Sequence, residues 1–549
     1  MNTVWRRRSL LLGKLSGFVL GFTLCLWGQP AWGQEMTGPA LLETRCSGCH
    51  PPHEEGGKLD AIEHQRKPPE AWEMTIYRML RTHGANLEAG EARILIKYLS
   101  DRYGLAPSEV KPFRYALEKR NNTIEQHVPK EVKGTCVACH SYARIALQRR
   151  TPESWGRLPD LTAALLPNIE NQVASTGLLG DFWYTLVRKD TVPYLTQTYP
   201  FDSTAWKQWQ AKPKPDYAGV WNVVGHDPGK GGAYTGRMTL TALGNDNYEG
   251  QLAYDFADGS RMTGKNTVTM YTGFQWRGVA EVDGGQTHKE IFFANEDGTV
   301  VSGRRLLTLV GDLGMEETLY RNTGQARFFA VSPTALKVGE RSTLRLFGMN
   351  LPESLAAASV SLGPGVTVQS LRRVDADTVM ADVVVGKKAK VGARQARIQG
   401  VDGEQPLAVY NTVDYIRLSP EQAFSRPGGI RTPKIFQQFE AVGYTNGPDR
   451  RKGTDDDMKL GRVGPVTWKL NEYVKRVNDD DVRFVGAMNA HGLFTPAEDG
   501  PNPKRHLSQG NVGDVWVEAW YQPNGARRPM GARAHLLVMP AKYNFQPIE

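Results

Sequence analysis

The apolar pattern along this chain changes character once, near residue 215. Before that point apolar residues recur at helical spacing. The stretch "NLEAGEARILIKYLSDRYG" (86–104) is the clearest case, with Leu87, Ala92, Leu95 and Leu99 on one stripe and Gly104 closing it. "PEAWEMTIYRMLRTHG" (69–84) predicts a second helix ending at Gly84, and Ala40, Leu41 and Leu42 predict a helix entry just ahead of Cys46. Residues 193–217 form a link rich in proline, lysine and tryptophan. Beyond it the pattern shortens to alternation between glycine turns, as in "GRMTLTAL", "YEGQLAYDF" and "NTVTMYTGFQWRGVAEV". That rhythm predicts antiparallel strands closing a barrel or sandwich.

Two further β units follow. One begins near Phe328 and runs to Asn411, with the short strands and glycine turns of an immunoglobulin-like sandwich. The other spans 412–549 and holds the strand-like "DVWVEAWYQ" and "RAHLLVMPAKY". The expected architecture is multidomain. A leader segment (1–33) precedes an all-α domain (34–212), a β-barrel-like domain (213–325), an immunoglobulin-like β domain (326–411) and a C-terminal β-sandwich (412–549).

Composition adds limits. The 549 residues are 40% hydrophobic and 23% charged, ordinary for a globular protein. The N-terminus reads as an export signal: Arg6, Arg7, Arg8 and Lys14, then the apolar "SGFVLGFTLCLWG", then small residues at "AWG". The apolar core is shorter than the ~20 residues a span needs, which favours a cleaved signal over a short membrane anchor, and with no long apolar run after it no span is expected in the mature chain. Removal of those four cations takes the formal charge from +9 to +5. No arginine-rich stripe with interleaved aromatics is present, which argues against nucleic acid. "GHDPGKGGA" (225–233) lacks the first glycine and the Ser or Thr of a phosphate loop, and reads as a glycine-rich connection. Asp455, Asp456 and Asp457 lack the alternating spacing of a calcium loop and read as a solvated turn. No set of catalytic residues stands out in this chain.

The chemistry lies in the cysteines. Cys25 falls in the signal, and the other four form "TRCSGCH" (44–50) and "GTCVACH" (134–140). C-x-x-C-H is the attachment signature of c-type haem. Two thiols three residues apart reach the two vinyl groups, and the next residue turns its imidazole to the iron. A zinc site from two such pairs is disfavoured, since the histidines lie 90 residues apart. Two matches make residues 34–212 a dihaem cytochrome c domain, its two c-type haems held by Cys46, Cys49, Cys136 and Cys139, with His50 and His140 as axial ligands, and make residues 1–33 the signal peptide of an exported chain. The sixth ligand of the first haem is sought among His53, His64, Met74, Met79 and His83. Met79 is favoured and His83 is next. A thioether stabilises ferrous iron and raises the potential. For the second haem, no histidine or methionine occurs from Ser141 to Asp216. His127, Tyr142, Tyr184, Lys189, Tyr194 and Tyr199 are the donors nearby. The remaining options are a five-coordinate iron or a ligand from another domain.

A two-haem helical unit followed by three β units resembles the alpha subunit of quinohemoprotein amine dehydrogenase. The resemblance covers nearly the whole mature chain. Its marks include "WEMTIYRMLRTHG", "TCVACHSYARIALQRRTPESW", "GVWNVVGHDPGKGGAYTGRM", "QFEAVGYTNGPD", "FTPAEDGPNPKR" and "ARAHLLV". It implies a periplasmic heterotrimer that oxidises primary amines. This chain would carry the haems beside a propeller-like beta subunit. A small gamma subunit would bear cysteine tryptophylquinone and perform the amine chemistry. A periplasmic cytochrome c or copper protein would accept the electrons. The resemblance assigns covalent haem attachment and the proximal histidines to the two motifs, and the methionine ligand to Met79. It also implies a distal histidine for the second haem at the position held here by Thr162. The rival class is a stand-alone dihaem electron carrier or peroxidase.

Overall fold

The computed structural model describes residues 36–52, 57–174, 182–308, 313–429, 432–475, 478–506 and 510–541. The expected signal peptide, Cys25 and His53 lie outside the described residues.

The first unit comprises two lobes. In the first, the Gly38–Cys46 helix packs on the Ala89–Arg102 helix so closely that a Cβ on Gly38 would sit 2.4 Å from the Tyr98 Cβ. The Ala89–Arg102 helix opens on a capping box, in which the Glu88 N–H donates to the Glu91 carboxylate at 2.9 Å. Leu41, Leu42, Trp72, Ile76, Leu95 and Leu99 form the lobe's core. A two-residue antiparallel ladder ties the lobes together, pairing Gln65 with Arg150 and Arg66 with Arg149. Both Arg66 and Arg149 donate to the buried Glu109, each through a 3.0 Å contact.

The expectation of an all-α first unit ahead of the β domains is corrected here. Among the described residues, the unbroken α-helices that reach 14 residues are Pro69–Thr82 and Ala89–Arg102, and most of the described elements are β. The other described helices of this unit are short, and a π-helical turn (Val187–Thr191) and the inter-lobe ladder interrupt them. The physical cause is proline. Pro69, Pro107, Pro152 and Pro159 each sit in the first two positions of a helix. Proline suits an opening turn and cannot sit deeper in a helix, so it partitions the chain into short segments.

Next comes a closed eight-stranded barrel. It runs from Gly219–Asp227 through Gly232–Gly244, Asn247–Asp255, Arg261–Tyr271, Gln275–Val282, Gln286–Ala294 and Val300–Leu307 to Gly314–Arg321. Neighbours pair antiparallel, and the last strand closes on the first with Glu316 opposite His226 and Arg321 opposite Trp221. The interior is apolar with one polar knot. Arg305 donates to Glu290 at 2.6 Å and to Glu317 at 2.7 Å, and all three are fully buried.

Two four-stranded sheets follow. One is built on Arg341–Met349 and Thr378–Val385, the other on Gly392–Ile398 and Val401–Tyr410, and they share a core of Phe328, Leu344, Leu346, Val379 and Leu407. The last unit contains a four-stranded sheet around Gly513–Tyr521 and Met530–Val538, with two three-stranded sheets. In its polar loop, Asp457 accepts from the Gly447 N–H (3.0 Å), the Gly453 N–H (2.6 Å) and the Tyr415 hydroxyl (2.6 Å). The carboxylate staples the turn. Among the described residues, no group of three or more His, Cys, Asp or Glu side chains could hold a metal ion by itself, and no helix is long and apolar enough to cross a membrane.

The first unit is seated on the barrel and on the last unit. The Asp101 carboxylate accepts from the Thr272 N–H at 2.6 Å, Arg277 pairs with Glu70, and Asn122 bridges to Gln437 and to the Phe424 N–H.

Candidate functional site

The first motif sits where the Gly38–Cys46 helix ends. The N–H groups of Cys49 (3.1 Å) and His50 (2.9 Å) both donate to the Cys46 carbonyl. One tight turn therefore gathers both sulfurs and the imidazole. Both thiols are free. Burial pushes the Cys46 thiol up, and the neighbouring Cys49 adds to the effect.

This turn forms one wall of a cavity of about 730 Å³, within the usual range of cofactor sites (~300–1,000 Å³). The Pro69–Thr82 helix forms another wall, contributing Trp72, Ile76 and Met79. Met74 is five residues from Met79, about 140° around the helix, and packs instead against the barrel core. His64 and His83 also line the cavity, His83 as the exposed cap of the helix. The structure thus gathers Met79, His83 and His64 around one space with Cys46, Cys49 and His50, and leaves Met74 out. The donor set fits a c-type haem: two thiols and an imidazole from one turn, and a soft thioether on a facing helix.

The second motif repeats the turn, with the Cys136 N–H on the Val132 carbonyl (2.9 Å) and the Cys139 N–H on the Cys136 carbonyl (3.2 Å). Burial pushes the Cys136 thiol up to about 11, against the opposing pull of the Thr135 hydroxyl. His140 Nδ1 lies 3.0 Å from the Ser141 carbonyl. That contact makes Nδ1 the donor and leaves the Nε2 lone pair for a metal. Burial also lowers the His140 pKa, which keeps the ring in its neutral, ligating form.

Around this motif the local donors are engaged. The Tyr142 hydroxyl contacts those of Tyr199 (2.5 Å) and Tyr194 (3.1 Å), and Tyr184 donates to Asp160. The Thr162 hydroxyl donates to the Leu158 carbonyl of its own helix at 2.8 Å. His127 and Lys189 are exposed. A cavity of about 600 Å³ opens beside Cys139 and His140, and its far wall includes Arg426 and Met539 from the last unit. Cys136 faces the other way, into a core with Val132 and Trp155. Sequence reasoning missed Met539 because no local pattern links the last strand to this motif. It also missed Arg78, Arg150 and Lys67 around the first cavity, since isolated basic residues carry no signature.

Among known proteins, four family profiles match in succession. Residues 36–206 match "Quinohemoprotein amine dehydrogenase A, alpha subunit, haem binding". Residues 215–321, 325–411 and 416–548 match domains II, III and IV of the quinohemoprotein amine dehydrogenase alpha subunit. No curated protein matches the chain. Solved structures similar to part of it include a redesigned β-barrel (17% identity, 19% of this chain and 90% of that chain, TM-score 0.17). A second redesigned barrel, mFAP0, bound to DFHBI, shows 17% identity over 19% of this chain and 98% of its own, with TM-score 0.17. A de novo designed fluorescence-activating barrel shows 14% identity over 19% and 93%, also with TM-score 0.17. With both C-x-x-C-H turns inside the haem-binding match and the three β units covered in order by the others, the chain belongs to the quinohemoprotein amine dehydrogenase alpha-subunit family.

Proposed function

We propose that this chain is the dihaem electron-transfer subunit of a periplasmic quinohemoprotein amine dehydrogenase. Membership of a family with a haem-binding domain supports its reading as the haem subunit of a multi-subunit oxidoreductase. The finer reading concerns its haems and its partners. Cys46 and Cys49 would hold one haem with His50 and Met79 as axial ligands. Cys136 and Cys139 would hold the other, with His140 on its proximal side. When bound, c-type haem supplies one-electron transfer between ferric and ferrous iron.

The chain's own residues supply attachment, orientation and exclusion of water. The two turns place thiols and imidazole together, and Trp72 and Ile76 wall the first cavity with apolar surface. The amine chemistry would belong to a gamma subunit carrying cysteine tryptophylquinone, beside a propeller-like beta subunit. Two electrons leave a primary amine as it becomes aldehyde and ammonia, and pass one at a time to a periplasmic cytochrome c or copper protein. The observation that carries the reading is the pair of C-x-x-C-H turns inside the family's haem-binding segment, the first opening onto the cavity that holds Met79. The rival of a stand-alone carrier or peroxidase gives no role to three β units that each match this family. Mass spectrometry of the mature protein should show two haem additions, and a pyridine haemochrome assay should give the same count. A count of one or none overturns the dihaem reading.

A further inference from the structure

The first cavity holds more positive charge than its own acids balance. The Gln65–Arg66 ladder sets Gln65 opposite Arg150, so a cation of the second lobe reaches the cavity of the first. Arg78 and Arg150 both line it. Lys67 is 4% exposed, and its ammonium donates to Thr75 Oγ1 (2.5 Å) and Gln65 Oε1 (3.2 Å), both cavity residues, above the Trp72 ring at 4.2 Å.

The other arginines of the cavity have acids. Arg45 pairs with Glu91 at 2.7 Å, and Arg157 with Asp60 at 2.7 Å. Lys67, Arg78 and Arg150 have no carboxylate partner among the described residues. Arg150 donates only to Gln148 Oε1 and Ser154 Oγ. Arg78 makes no hydrogen bond among the described residues, and its Nε is buried. Burial, then the charges of Arg150 and Arg78, push the Lys67 ammonium well below its ordinary range. A buried cation without a counter-ion costs several kcal/mol. Arg78 and Arg150 are half-buried at the cavity wall and Lys67 is buried behind Thr75 and Gln65, and together they call for an anion in the cavity.

We infer that Arg78 and Arg150, with Lys67 behind them, form the seat of the two propionate carboxylates of the first haem, a binding site shared between the two lobes. The inference rests on the reading that Cys46, Cys49 and His50 carry that haem. Haem brings two carboxylates on a planar ring, and a planar guanidinium fork matches a carboxylate in a bidentate pair. The seat also adjoins the second lobe's core, because the Arg150 guanidinium lies 5.4 Å from the ring of Trp155, which packs in the same core as Cys136. Cations at the propionates favour the ferrous state, so the seat raises the potential of the first haem.

The test uses the full haem-loaded chain carrying Arg78→Gln, Arg150→Gln or the charge-conserving Arg78→Lys. Haem count, the thioether–iron charge-transfer band, each haem's potential by spectroelectrochemistry, and the propionate bands in resonance Raman are read together. In either Gln variant one haem should keep its thioether band, shift to lower potential and show displaced propionate bands. Arg78→Lys should retain most of the native potential. Loss of one haem in Arg78→Gln, restored by Arg78→Lys, also supports the seat. Both haems present with potentials and propionate bands unchanged in both Gln variants would overturn it. A phosphate-dependent shift of the native potential that Arg78→Gln abolishes would overturn it too, by showing a site for a free anion. Absence of haem from the unmodified chain would instead overturn the underlying haem reading.

Discussion

At the scale of single residues, the first cavity turns on which side chain reaches it. Met79 does so because it shares a helix face with Trp72 and Ile76, while Met74 is turned to the barrel. Identical chemistry five residues apart thus has two fates. Replacing Met79 with alanine removes the thioether and leaves a weaker ligand or water in its place. The expected outcome is one haem that loses its low-spin spectrum and its charge-transfer band, with a lower potential. If both haems keep their spectra in Met79→Ala, the ligand is another residue of the cavity, with His83 next to test. Thr162 contrasts with Met79. Its hydroxyl is committed to a backbone carbonyl, so it offers no replacement for the histidine expected there.

At the scale of elements, two features link the haem unit to the barrel's strength. Gly104, just past the Ala89–Arg102 helix, fits a gap where a Cβ would meet the Ser100 carbonyl oxygen at 2.2 Å and Thr272 Cγ2 at 2.4 Å. The Ser100 oxygen blocks the helix side and Thr272 the barrel side, so Gly104→Ala should strain this helix end, push it from the barrel and cost about 1–3 kcal/mol. A lower thermal midpoint checks this, and an unchanged one refutes it. Inside the barrel, His288 is 3% exposed, and neither ring nitrogen has a hydrogen-bond partner among the described residues. Burial, then the charge of Arg305, lowers its pKa to about 4. The unfolded chain takes up a proton near pH 6.5, and the folded barrel resists until about pH 4. This contribution to stability is therefore fully present above pH 6.5 and declines as pH falls towards 4, by roughly 3 kcal/mol. Thermal midpoints from pH 7 to 4.5 should fall more steeply in the native protein than in His288→Phe. Parallel curves would show that His288 does not titrate in this way.

At the scale of the whole molecule, the division of labour within the assembly becomes testable. We expect the isolated, haem-loaded chain to reduce no dye with any primary amine, since it offers no quinone precursor set. Robust amine turnover by this chain alone would remove the subunit reading. Much of the reading was legible in the residues themselves. C-x-x-C-H is complete within five residues, so the expectation of haem attachment needs no tertiary partner. Strand alternation after residue 215 is likewise a local consequence of one buried face, and the barrel and later sheets are where it appears. The helical stripes were also legible, but they did not reveal how often proline would restart the helix, and the all-α expectation failed for that reason. Other features depended on folding. Periodicity places Met74 and Met79 on different faces of one helix, but only the packing of that helix decides which face looks into the cavity. A buried cation has no sequence signature either, because its meaning depends on whether an acid lies beside it. Lys67, Arg78 and Arg150 become a site only when the inter-lobe ladder brings Gln65 opposite Arg150, a contact between distant segments that local physical chemistry does not encode.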